Sequence, residues 1–163
     1  MSLSRIQTLL FQLDAIWYHD EWFTTVSRAL DGVTSVEAAW KPAGDSNTIW
    51  QLVNHMNFYN EQILQRLTNQ PQQKASSNTS TFGSPGDAGN EAGWQEVKEQ
   101  AFSIAAEIRK VIASLSDDDL DAQVHETTLG HTLSSWVMHD GFHTGQIVLI
   151  RKLQGSWPAT IWP

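Results

Sequence analysis

The sequence has 163 residues, the length of one ordinary domain, and carries 18 Asp and Glu against 10 Lys and Arg. The resulting formal net charge of −8, with no visible Lys/Arg cluster, argues against nucleic-acid binding, which depends on neutralising phosphates. The chain contains no cysteine, which excludes disulfides, thiolate metal ligands and a cysteine nucleophile. Any bound metal must therefore have nitrogen or oxygen ligands.

Hydropathy along the chain argues against a membrane location. No apolar run approaches the ~20 residues that a membrane-spanning helix needs. The first residues lack the basic start and small-residue cleavage site of a signal peptide. We therefore expect a cytoplasmic protein that does not contact a membrane.

The first two predicted helices follow from apolar side chains that recur at steps of three and four. One pattern covers Leu3 to Leu30 and predicts a single long helix. Residues 31–47 contain glycine and proline and are typical of a connection. A second helix is predicted to begin after Thr48, because Thr48 and Gln51 have the spacing of a capping box, and to end near Leu67.

A polar segment from Gln70 to Gly93 follows, rich in Gln, Ser, Asn, Gly and Pro, and its only large apolar residue is Phe82. This composition offers little surface to bury, so it predicts a flexible loop at about residues 70–93. The third helix, Trp94 to Leu115, has the most regular apolar spacing.

The last predicted helix runs from about Thr132 to Leu153 and is ended by Gly155. Residues 116–131 before it form a polar connection, whose acidic run at 117–121 favours a solvated turn over a cation site. We expect residues 156–163 to pack back on the helices. Four amphipathic helices in a single domain, residues 1–163, predict an all-α protein built as a four-helix bundle with long connections.

Two of the six histidines stand four residues apart on the predicted last helix. The side chains of His139 and His143 share one face, with Cβ atoms ~5–6 Å apart, which suits binding of both by one metal ion. Roughly 0.2 such pairs are expected by chance for this histidine content, so the pair alone is a weak signal. His55 borders the apolar face of the second helix. A single inward histidine is more often a hydrogen-bonded core residue, but a metal would satisfy three inward imidazoles together.

Other polar residues near these histidines are candidates for supporting the ligands or contacting a substrate, with ordinary packing as the alternative. They are His19, Gln51, Tyr59 and Gln146. Of these, His19 is expected to line the pocket or the core from the first helix. Asp140 follows His139 directly and is expected to make a salt bridge or a helix contact rather than to ligate. His125 and His131 fall in a predicted connection and are expected to face solvent.

Two segments resemble the DinB/YfiT-like superfamily. The stretch His139-Asp-Gly-Phe-His-Thr-Gly-Gln-Ile147, continuing to Gly155, is similar to the family's last-helix signature. The segment Trp40-Lys-Pro, followed after a loop by Ile49-Trp-Gln-Leu-Val-Asn-His55, is similar to its second-helix signature. The resemblance implies a four-helix bundle with a crossover connection, often a homodimer. It also implies a nickel or zinc ion on three histidines, which match His55, His139 and His143 here.

A metal site with three protein ligands leaves a coordination position open, as catalytic zinc sites do. The resemblance implies transfer of a low-molecular-weight thiol to a small-molecule electrophile. A metal-dependent hydrolase remains an alternative, as does a non-enzymatic stress protein that binds a metal or small ligand. The one acidic residue that lies a helical turn from a ligand histidine is Asp140, three residues before His143, and it is expected to make a salt bridge or a helix contact, so the sequence predicts no unambiguous general base.

Overall fold

The computed structural model describes residues 3–158, which form an all-α bundle as predicted. The helices in chain order are α1 (Arg5–Trp17), α2 (Val26–Leu30), α3 (Ser35–Ala38), α4 (Ile49–Leu67), α5 (Glu91–Ala113) and α6 (Leu129–Leu153). Two 3-10 turns (Thr79–Phe82 and Asp118–Asp121) and a two-stranded antiparallel hairpin, β1 (Gln123–Val124) with β2 (Thr127–Thr128), lie in the connections. Within the described residues, no helix has the length and apolar character required to cross a bilayer.

The four long helices surround one apolar core. Helix α4 packs along both α5 and α6, and α1 packs against the same two helices. Helices α1 and α4 therefore lie at opposite corners of the bundle, joined by the connection that contains α2 and α3. The largest fully buried side chains include Leu13, Trp17, Met56, Ile108, Leu133 and Ile147.

The prediction of one helix over residues 3–30 is wrong beyond Trp17, where α1 ends. Asp20 forms an ion pair with Arg28 and accepts a hydrogen bond from the Thr25 hydroxyl at 3.3 Å. Thr25 in turn caps α2 by accepting from the backbone N–H of Arg28 at 3.1 Å. Asp and Thr favour such local bonds over a helix interior, so the apolar pattern continues across a break in the helix.

The capping box at the start of α4 is confirmed. The Thr48 hydroxyl accepts from the backbone N–H of Gln51, and the Gln51 side chain accepts from that of Thr48, each at 3.1 Å. The Thr48 hydroxyl also donates to the carbonyl of Pro85 at 2.8 Å. The N-terminus of α4 is thus fixed both by its own cap and by the polar segment that follows the helix.

That polar segment, predicted to be a flexible loop, packs on the bundle at several points. Thr81 is buried, and Ser35 donates to the carbonyl of Ala88 at 2.8 Å. Gly86 has φ of +93° and lies so close to the Trp50 ring that an added Cβ would be 2.5 Å from it. Helix α5 also begins earlier than predicted, at Glu91. Apart from the packing of Phe82, the anchors are hydrogen bonds and one glycine contact, which an apolar count does not detect.

The acidic run before α6 forms a turn, as predicted, and has a second role. Asp117 accepts from the backbone N–H groups of Arg5 and Ile6, each at 2.9 Å, and so binds the first turn of α1. After α6, the backbone N–H groups of Ser156 and Trp157 donate to the carbonyl of Arg151, so the tail begins by folding back. The rest of the predicted tail contact, at residues 159–163, lies outside the described residues.

Candidate metal centre

The three predicted ligand histidines meet between α4 and α6. His55 lies in the second turn of α4, and His139 and His143 lie one turn apart on α6. The Nε2 atom of His139 is 3.1 Å from that of His55 and 3.1 Å from that of His143. Two ligands ~2.1 Å from one ion, at ordinary bond angles, are ~3.0–3.4 Å apart. The imidazole spacing therefore fits a shared divalent ion.

A hydrogen-bond chain fixes the tautomer of His55. Its Nδ1 atom lies 2.6 Å from the hydroxyl oxygen of Thr81, and that hydroxyl donates to the carbonyl of Asn78, also at 2.6 Å. Because the only proton of the hydroxyl is used, its oxygen accepts from the Nδ1–H of His55. The lone pair of His55 Nε2 is then free and faces the other two histidines.

The Nδ1 atoms of the other two histidines also face hydrogen-bond acceptors. His143 Nδ1 donates to the side-chain oxygen of Gln146 at 2.6 Å, and His139 Nδ1 faces a carboxylate oxygen of Asp140 at 3.4 Å. Partners of this kind orient metal-binding histidines and fix their tautomer. Three Nε2 lone pairs therefore converge, and because they repel one another the arrangement suits a cation between them.

Burial keeps His55 and His143 in the neutral form that binds metal. Burial, together with the nearby charges of His143 and His139, lowers the pKa of His55 to about 3. Burial also lowers the pKa of His143, against the raising effect of its bond to Gln146. Neutral imidazole is the ligand form, so no proton has to leave these two residues near neutral pH before a metal binds.

A buried polar network lies behind His139. Asp140 is completely buried and accepts from Trp17 Nε1 at 3.1 Å and from Asn60 Nδ2 at 3.2 Å. The same Asn60 accepts from Trp136 Nε1 at 2.6 Å. Burial raises the pKa of the Asp140 carboxyl, and hydrogen bonds from its neighbours oppose that shift. The network joins α1, α4 and α6, so the helix contact expected for Asp140 is present.

A cavity of about 680 Å³ opens from the histidines and runs between α4 and α6. Tyr59 lies edge-on to the His55 ring, with centroids 4.9 Å apart, and its hydroxyl donates to Asn78 at 2.9 Å. Phe82 stacks on the His55 ring, with centroids 4.0 Å apart and planes 11° apart. Trp136 also lines the cavity. The histidines therefore line one part of a pocket that has several aromatic side chains and remains open to solvent.

The structure separates the four supporting candidates. Tyr59 lines the cavity, and Gln146 binds the Nδ1–H of His143. Gln51 caps α4 and donates to the carbonyl of Gly83, so it contacts the polar segment instead of the cavity. His19 is exposed beyond the end of α1 and does not line the cavity.

Two residues of the site were missed by the sequence analysis. Asn60 is a polar residue in the middle of the apolar face of α4, and that unusual position is a signal that could have found it. Thr81 lies in a Ser/Thr/Asn-rich stretch where nothing local distinguishes it from its neighbours. Only the folded chain brings it to His55.

The fold and the site define a helical-bundle protein whose buried three-histidine group, His55, His139 and His143, fits metal binding. The chain belongs to the DinB superfamily, whose sequence model matches residues 19–147 and thus includes all three histidines. The resemblance stated from the two motifs is confirmed. Comparison with curated proteins and with solved structures gave no match.

Proposed function

We propose that this protein is a metal-dependent enzyme that transfers a low-molecular-weight thiol to a small electrophile. The observation that carries the proposal is the convergence of three Nε2 atoms, on histidines whose Nδ1 atoms lie 2.6, 3.4 and 2.6 Å from an acceptor oxygen, beside an open cavity. Structural zinc sites usually have four protein ligands, whereas sites with three leave room for a reactant.

The chemistry divides between the metal and the chain. A zinc or nickel ion on the three histidines would favour the thiolate form of a bound thiol, which is the nucleophilic form. The chain has no cysteine, so the sulfur must belong to a co-substrate. Tyr59, Phe82 and Trp136 form aromatic walls that would hold an apolar electrophile and exclude water.

The cavity lining favours this proposal over a hydrolase. A hydrolase needs a group that accepts a proton from the attacking water. No carboxylate among residues 3–158 lines the cavity. The carboxylate of Asp140, which adjoins His139, is completely buried and accepts from Trp17 and Asn60. A thiol depends less on such a base, because its ordinary pKa of ~8.5 lets a nearby cation release the proton to solvent, whereas free water has a pKa of ~15.7.

The experiment offers the zinc-loaded or nickel-loaded protein a set of small thiols with a chromogenic electrophile. Turnover should require both metal and thiol, and should be lost in His55→Ala. The matched control is His131→Ala, because His131 is an exposed histidine. Turnover without metal would contradict the proposal. Hydrolysis of esters without thiol transfer would favour the hydrolase, and absence of both activities would favour a non-enzymatic binder.

We also propose that the protein forms a homodimer, as the family resemblance implies. Helix α6 exposes four large apolar side chains at steps of four, seven and four residues, Met138, Phe142, Leu149 and Leu153, each more than half exposed. These steps place them on one face of the helix. Sedimentation velocity should give a dimer for the wild type and a monomer for Leu149→Glu. A monomeric wild type would contradict the proposal.

A further inference from the structure

The cavity that contains the histidines also has a charged residue at a distance from them. Arg66 lines the same cavity as His55 and lies eleven residues after it on α4. Eleven residues are about three turns, so the two side chains share one side of the helix, ~16 Å apart along its axis. Tyr59 and Ile63 line the cavity between them. The cavity therefore extends from the three histidines to the guanidinium of Arg66.

Arg66 carries an uncompensated charge. Among residues 3–158, the ionisable side chains that line this cavity are the three histidines, Tyr59 and Arg66. No carboxylate in that range forms a salt bridge with it, although the protein is acidic overall. Its one hydrogen bond there is to the side-chain oxygen of Gln72 at 3.2 Å. A guanidinium has five N–H donors, so most of them are available to a ligand.

The Gln72 amide positions this guanidinium. Its oxygen accepts from Arg66, and its nitrogen donates to the backbone carbonyl of Gln62 at 3.2 Å. The amide thus connects the Arg66 side chain to the preceding turn of the same helix. Because Gln72 is neutral, it restrains the guanidinium without cancelling its charge, which reduces the entropy that a ligand would lose on binding.

The simplest alternative is that Arg66 only stabilises the C-terminal end of α4, where a cation interacts favourably with the helix dipole. Lys110 shows that ordinary case in the last turn of α5. Its side chain is 77% exposed and lies 3.6 Å from Glu107. Arg66 differs because it lines a cavity, has no acidic partner in residues 3–158 and is restrained by an amide. The helix dipole explains none of these three features.

We propose that Arg66 binds the carboxylate of an elongated substrate or co-substrate whose other end lies at the three histidines. The ligand class is a monocarboxylate with an apolar middle, since Tyr59, Ile63 and Trp136 line the space between. One guanidinium matches one carboxylate through two parallel hydrogen bonds. A dianionic phosphate would keep an uncompensated charge in a protein of net charge −8. The inference rests on the proposed function only in treating this cavity as the substrate site.

The test measures binding, without turnover, by isothermal titration calorimetry on the metal-loaded protein. The probes are 4-phenylbutyrate and its neutral analogue 4-phenylbutyramide. We expect the wild type to bind the carboxylate about tenfold or more tightly than the amide. Arg66→Gln should remove that preference and leave the affinity for the amide unchanged. Arg66→Lys should retain part of the preference, and the control Lys110→Gln should retain all of it.

Other outcomes overturn the inference. A carboxylate preference that survives in Arg66→Gln would show that the carboxylate binds the metal or another group. Failure of the wild type to bind either probe at millimolar concentration would also contradict it, as would equal affinity for both. Circular dichroism and metal content of Arg66→Gln should match the wild type. Because the experiment measures binding, an Arg66-dependent preference for the carboxylate would support the inference even if the protein transferred no thiol. Conversely, thiol transfer without that preference would leave the proposed function intact.

Discussion

The three-histidine group, His55, His139 and His143, has two walls of different construction. One wall consists of α4 and α6, whose inward faces are buried in the core and carry the histidines. The other is the 3-10 turn Thr79–Phe82, which has little apolar surface and is held by hydrogen bonds and one aromatic stack. The helical wall supplies the ligand atoms, whereas the turn supplies the contacts that orient one of them. A site can therefore depend on a segment whose composition is typical of a loop.

The three histidines differ in which wall supports them. His139 and His143 have their Nδ1 partners on the same helix, at Asp140 and Gln146. His55 has its partner 26 residues away, at Thr81 in the turn. Damage to the turn should therefore act mainly through His55, while damage to α6 should remove the site altogether.

The largest expected effect comes from the helical wall. The double variant His139→Ala/His143→Ala leaves one imidazole, which does not hold a divalent ion through dialysis, so metal content should fall from about one ion per chain to none. Elemental analysis of the dialysed protein is the measurement. His131→Ala, an exposed histidine on the same helix, is the control and should retain the metal. Stoichiometric metal in the double variant would refute the site.

The second effect concerns the stability of the same wall. Asp140→Ala leaves the buried N–H donors of Trp17 and Asn60 without an acceptor, and each such loss costs ~1–3 kcal/mol. The free energy of unfolding of the metal-free protein should fall by about 2–5 kcal/mol, as measured by urea denaturation. Glu126→Ala, which removes an exposed carboxylate, should change it little. An unchanged value for Asp140→Ala would show that the network contributes little to folding.

The sequence predicts the helical wall far better than the turn. Periodic apolar residues locate the four helices, and the spacing of His139 and His143 together with the apolar neighbours of His55 predicts where the ligands lie. The break after Trp17 was missed because the apolar pattern continues across it. The role of Thr81 was missed because its contact with His55 is non-local and polar, and no helical or strand period marks it.

A smaller effect should follow from removing one hydroxyl in the turn. Thr81→Val keeps the shape of the side chain but removes the acceptor for the Nδ1–H of His55. Loss of such a partner lowers metal affinity about ten- to hundredfold, so we expect a change near tenfold in a competition titration with a chelator. Thr79→Val is the same substitution at an exposed position of the same turn and should have no effect. Equal affinities in both variants would show that the turn only covers the site.

The last effect, which appears only on acidification, is a dependence of stability on pH that belongs to His55. Its pKa is about 3 in the folded metal-free protein because burial and the charges of His143 and His139 disfavour protonation, against an ordinary value of ~6.5 in the unfolded chain. As pH falls below ~6.5 the unfolded chain therefore gains a proton that the folded protein does not, down to pH near 3. The free energy of unfolding therefore keeps its full value with respect to His55 above pH ~6.5 and decreases as the pH falls from ~6.5 toward 3.

Urea titrations of the metal-free protein at about pH 7 and about pH 4.5 measure this contribution. Between these two pH values, the urea concentration at the unfolding midpoint should fall more for the wild type than for His55→Gln, which has no group to titrate at that position.

Phe82→Ala distinguishes the two walls, because it removes the ring stacked on His55 and admits water to the imidazole. Water raises the pKa of a buried histidine toward its ordinary value, so the pH dependence of Phe82→Ala should lie between those of the wild type and His55→Gln. A dependence in Phe82→Ala equal to that of the wild type would show that the helices alone keep His55 from water.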